Sequence, residues 1–176
     1  MSKLNWNLDT AHSEVNFKVK HMMITNVNGK FTNFDVKATS ENENFENPEI
    51  EFTANTASIH TGSEQRDQHL KSADFFDSEK FPELHFKSKS FRKTGDGEYQ
   101  LDGDMKIKDV VKPVSFKIEH SGLQKDPWGN MKAGFSIEGK INRKDFGLTW
   151  NAALESGGVL VSEDVKLNAE IQLAKA

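Results

Sequence analysis

Apolar and polar side chains alternate in eight segments of this chain: 15–19, 34–38, 50–54, 84–88, 101–107, 114–118, 135–141 and 165–173. A period of two puts one face of each segment in oil and the other in water, the pattern of a half-buried β-strand. Turn chemistry falls between them, at Asn28-Gly29, Asn47-Pro48, Gly95-Asp96-Gly97, Asp126-Pro127-Trp128-Gly129-Asn130 and Gly157-Gly158. Gly supplies positive φ, Asn and Asp tolerate it, and Pro fixes the turn. Strands joined in this way pair antiparallel with their neighbours. The expected class is all-β, an eight-stranded antiparallel barrel, the strand number at which a closed sheet encloses a filled core or one small ligand.

The alternation stops between Thr61 and Asp77. Thr61-Gly62-Ser63-Glu64 reads as a capping box, which predicts a short helix over 62–72 between the third and fourth strands, leading into Phe75-Phe76. A hairpin needs only a few connecting residues, so a connection this long caps a barrel mouth or carries function.

Whether the barrel is filled turns on its inward faces. Phe17, Phe34, Phe52, Phe86, Phe116 and Phe135 occupy alternating positions, and small residues share those faces: Ala54, Ser88, Gly103, Ala133, Gly139 and Ala169. Small positions either make room for bulky neighbours or leave a hollow. Periodicity leaves both readings open.

Composition narrows the function classes. The 176 residues form one domain, 1–176, with 27 acids against 23 bases spread along the chain and no basic stripe, so nucleic acid is not the expected partner. No run approaches the ~18 apolar residues of a membrane span. Met1-Ser2-Lys3-Leu4-Asn5-Trp6 lacks the apolar stretch of a secretory signal, and the expected compartment is the cytoplasm. The absence of cysteine excludes disulfides, thiolate metal sites and a Cys nucleophile. The six histidines form no helical i,i+4 pair, and His85 falls on the strand face opposite Leu84 and Phe86. No metal and no cofactor is expected.

Asp9-Thr10-Ala11-His12-Ser13 invites a triad reading, but residues so near in sequence seldom converge on one point, and local backbone bonding explains them better. Two further polar clusters are Arg66-Asp67-Gln68-His69, on the predicted helix, and Asn142-Arg143-Lys144-Asp145-Phe146-Gly147, after a strand. Each reads either as an Arg–carboxylate tie holding the barrel end or as a grip on the polar head of an apolar ligand.

These clusters, with Asp9 to Phe17, Val27-Asn28-Gly29-Lys30-Phe31, the run from Arg66 to Asp77, Phe81-Pro82 and Val110-Val111-Lys112-Pro113-Val114, resemble the YceI-like family of bacterial lipid-binding proteins from about Trp6 to Leu173. The resemblance implies a lipocalin-like barrel whose apolar pore holds a polyisoprenoid, an isoprenoid quinone or a similar amphiphilic lipid, and it implies a homodimer. Trp128 and Trp150 are the exposed aromatic candidates for such a dimer surface.

The expected pore wall is Phe17, Val19, Phe34, Phe52, Phe75, Phe76, Phe86, Met105, Ile107, Phe116, Phe135, Ile137 and Ile141, with Arg66, Asp67, His69, Asn142, Arg143 and Asp145 at the polar end. The leading reading is non-catalytic carriage. An enzyme acting on such a lipid, or a ligand-free interaction module, are the alternatives. A forty-carbon tail would yield about 30 kcal/mol of gross burial, beyond the ~20 kcal/mol at which affinity saturates. Chain ordering and partial exposure must absorb the excess.

Overall fold

The computed structural model describes residues 3–22, 24–151 and 160–176, and the Gly157-Gly158 turn lies outside them. Its strands are β1 (Leu4–Leu8), β2 (Glu14–His21), β3 (Thr25–Phe31), β4 (Phe34–Ser40), β5 (Glu49–Asn55), β6 (Ile59–His60), β7 (Glu83–Gly95), β8 (Glu98–Ile107), β9 (Val110–Lys125), β10 (Met131–Asn142) and β11 (Val161–Lys175). One helix, α1 (Glu64–Lys71), stands between β6 and β7. All strand pairs are antiparallel.

The hydrogen-bonded order β1-β4-β5-β7-β8-β9-β10-β11 closes on itself through β1–β11, giving an eight-stranded barrel. The expected number holds for the ring, but with a different set of strands. β1, whose Leu4, Trp6 and Leu8 alternate with asparagines, replaces β2 as the eighth member. β2 continues along β11 beyond the point where β1 leaves it, and carries β3 and β6 outside the ring.

The 3₁₀ turn Thr10–His12 separates these two stretches and interrupts the ladder opposite Gln172. Gln172 loses no bond by it: its carbonyl accepts from Asp9 N at 2.9 Å and its N–H donates to Ser13 Oγ at 2.9 Å. Asp9 in turn accepts from Lys132 Nζ at 2.8 Å and lies 2.9 Å from His12 Nδ1, and these partners hold its carboxyl below the usual aspartate range. The Asp9-to-Ser13 motif is the joint at which the sheet divides.

Two sequence expectations need correction. Asn28-Gly29 is no turn but lies within β3, where Gly29 faces Phe17. A Cβ on Gly29 would come within 2.2 Å of the Phe17 ring, so only glycine lets the ring lie across the strand. The helix cap is Ser63 rather than Thr61: Ser63 Oγ accepts from Arg66 N, while Thr61 Oγ1 is committed to the Asp67 carboxylate.

The two barrel ends differ. At one, Trp6 is 1% exposed and donates through Nε1 to Ser40 Oγ at 2.9 Å, and Ser40 donates to Asn42 O at 2.7 Å. Phe45, from the β4–β5 connection, packs on Trp6, Phe135 and His120, with centroids 4.5, 4.8 and 5.7 Å apart, and seals the end. At the other, β2 and β3 splay away from β4 and β5. β6 and α1 occupy the wedge, with Phe31 opposite Ile59 and Lys30 opposite His60.

Candidate functional site: an apolar lumen with a polar mouth

The inward faces leave a cavity of about 350 Å³. The inward glycines answer the question that their small size raised. A Cβ on Gly103 would stand 2.6 Å from the Phe86 ring, and one on Gly139 would stand 2.5 Å from the Phe116 ring. Each glycine seats a phenyl against the wall, and the two rings then meet edge-on at 5.4 Å. Flattened rings and a remaining hollow coexist.

Of the expected pore residues, Phe17, Val19, Phe52, Phe75, Phe76, Phe86, Met105, Ile107, Phe116, Phe135, Ile137 and Ile141 line this cavity. Phe34 does not: it sits beside the wedge, half-buried, with its ring 6.2 Å from Phe52. Lining residues that alternation alone missed include Phe31, Phe45, Leu70, Leu148 and Trp150. Phe31 was hidden by the turn reading of Asn28-Gly29. The others lie in connections and the helix, where a strand period carries no signal.

The polar lining is sparse: His21, Thr61, Arg66, His69, Arg143 and Asn168. All but Asn168 belong to the splayed end. Among the expected polar-end residues, Arg66, His69 and Arg143 line the cavity, whereas Asp67, Asn142 and Asp145 do not.

Local geometry explains that division. Asp67 is turned back to bind Thr61 N at 2.9 Å, tying α1 to the end of β6. Asn142 caps the 3₁₀ turn Arg143–Phe146 by accepting from Lys144 N at 3.0 Å, and Gly147, at φ +78°, ends it. A three-residue period puts Arg143 and Phe146 on the buried side and leaves Asp145 in solvent.

Arg143 is 3% exposed. It donates to four main-chain carbonyls: Nε to Ser162 at 2.8 Å, Nη1 to Leu148 at 2.7 Å and Trp150 at 2.8 Å, and Nη2 to Val161 at 3.2 Å. The expected carboxylate tie is a carbonyl clamp instead. Burial lowers the Arg143 pKa, while the charge of Glu163, itself paired with Lys144 at 2.8 Å, opposes the shift. A guanidinium has five N–H donors. The fifth, on Nη2, has no partner among the described residues.

His69 completes the mouth. Its Nε2 lies 2.8 Å from Asp74 Oδ2, and its ring stands edge-on to Trp150 at 4.7 Å and to Phe75 at 5.2 Å. Trp150 is therefore half-buried against α1 and not an exposed dimer candidate. Trp128, in the β9–β10 turn, is 83% exposed.

A YceI-like domain model matches residues 6–173. The chain belongs to the YceI-like family. It is 36% identical to the UPF0312 protein SA2479 of Staphylococcus aureus over 97% of both chains. The Campylobacter jejuni YceI crystal structure superposes with a TM-score of 0.76 at 32% identity, covering 96% of each chain. Two more distant structures share the YceI-like fold: Burkholderia cenocepacia BcnA (TM-score 0.79, 19% identity, 94% of this chain and 98% of that one) and a polyisoprenoid-binding domain from Saccharophagus degradans (TM-score 0.69, 11% identity, 97% and 98%).

Proposed function

We propose that this YceI-like protein binds an amphiphilic lipid with an isoprenoid or comparable apolar tail in the barrel lumen, and carries or sequesters it without converting it. The observation that carries this reading is the polarity gradient of the cavity. Its wall is almost entirely hydrocarbon, and five of its six polar residues stand at the splayed end. Such a wall binds a tail without directional contacts, and a few polar groups at one end orient the head. The name of the S. degradans relative, a polyisoprenoid-binding domain, supports the ligand class.

Magnitudes are consistent. About 350 Å³ falls within the range of small-ligand sites. Ten buried methylenes supply roughly 8 kcal/mol gross, the micromolar scale before ordering costs are subtracted. The Arg143 N–H that has no partner among the described residues, with Arg66 and His69 lining the same cavity, suits a hydrogen-bond acceptor on the head: a carbonyl, carboxylate or phosphate oxygen.

Organic extraction of the purified protein followed by mass spectrometry tests the proposal. The expected result is an intact amphiphile at close to one per chain. Chemically altered lipid would indicate an enzyme. Protein free of lipid that also takes up no added prenyl probe would overturn the reading.

A further inference from the structure

The β2–β3 hairpin projects beyond the ring at the mouth of the lumen and carries an unusual surface. At its tip Met22 is 43% and Ile24 78% exposed, two of the four large hydrophobic side chains most exposed among the described residues. Met22 N donates to Leu160 O at 2.8 Å, and Leu160 lines the cavity, so the apolar tip is continuous with the lumen wall. Behind the tip the outward positions of β2 and β3 are Asn16, Lys18 and Lys20, and Asn26, Asn28 and Lys30. No acid occurs between Glu14 and Asp35, in a chain with 27 acidic residues.

None of these three lysines is ion-paired among the described residues. The acids of the adjoining stretch of β11 are engaged: Glu163 pairs with Lys144 and Asp164 with Lys140. A shallow external groove lined by Asn16, Lys18, Asn28, Lys30 and His60 runs along this face. The surface thus combines an apolar tip with a local cationic face, grooved along its length, on a net-acidic protein.

We infer that the β2–β3 hairpin docks the barrel mouth on an anionic lipid bilayer, Met22 and Ile24 entering the acyl boundary, Lys20 resting on the headgroups and Lys18 and Lys30 standing further back along the hairpin, so that the lumen is loaded from the membrane. An amphiphilic cargo is insoluble, and its source is a bilayer. Apolar burial and attraction to anionic lipid are the two contributions that hold a protein at an interface. Lys20 lies two residues from Met22, about 7 Å along the strand, and is within a Debye length of a surface that the tip touches. The purpose assigned to docking rests on the lipid-carrier reading; the docking itself does not.

The test uses the full chain and two kinds of vesicle, phosphatidylcholine alone and phosphatidylcholine with phosphatidylglycerol, in co-sedimentation and in transfer of a fluorescent prenyl probe from vesicle to protein. Binding to the anionic vesicles is expected, weakening as salt rises. Met22→Ser/Ile24→Ser should lower it roughly tenfold or more, and should slow probe transfer in proportion. Lys18→Gln/Lys20→Gln/Lys30→Gln should abolish the preference for anionic over neutral vesicles.

Both variants change side chains that do not line the lumen, and each should retain wild-type affinity for probe delivered from ethanol without vesicles. No sedimentation of the wild-type chain with anionic vesicles, or equal sedimentation of the Met22→Ser/Ile24→Ser variant, would overturn the inference. Vesicle binding by a wild-type chain that takes up no probe by either route would uphold docking and overturn the carrier reading instead.

Discussion

The sealed and the splayed ends of this barrel are built from the same alternating strands, yet one is a finished core and the other is not. At the sealed end the buried indole is satisfied within the protein: Trp6 Nε1 reaches Ser40, and Ser40 reaches Asn42 O. Phe45 fills what space the strands leave. At the splayed end a buried guanidinium is tied to four carbonyls with one N–H that has no partner among the described residues, and apolar side chains stand in solvent at the tip of β2–β3. A protein under selection for stability alone would finish both ends. On the proposed function, the unfinished one is where the lipid completes the packing.

The largest expected effect comes from the finished end. Trp6→Ala removes a fully buried ring and should cost about 3–5 kcal/mol, lowering Tm by roughly 10 °C, with probe affinity unchanged in the fraction that folds. Loss of probe binding by that folded fraction would erase the distinction between the ends.

Arg143→Leu comes next. The buried carbonyl of Leu148 loses its partner, for which about 1–3 kcal/mol is expected in chemical denaturation. Arg143→Lys should recover little of it, because one ammonium cannot span four carbonyls. Full recovery by lysine would mean that charge matters at this site and the planar fork does not.

A comparable cost in stability, with an effect on binding beside it, is expected in the lumen. Gly139→Ala drives the Phe116 ring off the wall, which should cost roughly 1–3 kcal/mol and weaken the prenyl probe. Unchanged binding would place the ligand away from this stretch of wall.

The smallest effect concerns the joint between β1 and β2. Lys132 and His12 depress the Asp9 carboxyl, so its folded pKa lies below its unfolded value. Its contribution is therefore complete above about pH 4 and disappears as acid titrates the folded carboxyl. Asp9→Asn should lower stability near neutrality and flatten the acid limb of the stability curve. An acid limb as steep as wild type would mean that other carboxylates set it.

Much of this contrast was legible in the sequence. Seven of the eight ring strands follow from alternation, and so does the greater part of the lumen wall, because a period of two reports directly which side chains share a face. The less legible part is where strands depart from pairing one to one. β11 serves both β1 and β2, and the break between them lies in a motif that resembles a triad in sequence and is in fact a joint. β3 was masked by an Asn-Gly pair whose glycine answers to the Phe17 ring and not to a turn.

Polar roles were the least readable. Asp67 and Arg66 are adjacent on α1 and both bind Thr61, yet only Arg66 also lines the mouth. Asn142 and Asp145 bracket Arg143 in sequence and point elsewhere. Composition assigns such residues to an end of the barrel; only the turn geometry decides which of them faces inward.

The most direct test of the account is a titration of Ile137→Trp with a fluorescent prenyl probe, beside wild type and with circular dichroism and thermal melts to show that the variant folds. Ile137 lines the lumen, opposite Ile118 on one neighbouring strand and Ala169 on the other. An indole there should occupy the cavity and reduce probe affinity at least roughly tenfold in a protein that keeps its β-sheet spectrum. Undiminished affinity in that folded variant would show that the tail is held somewhere other than the lumen.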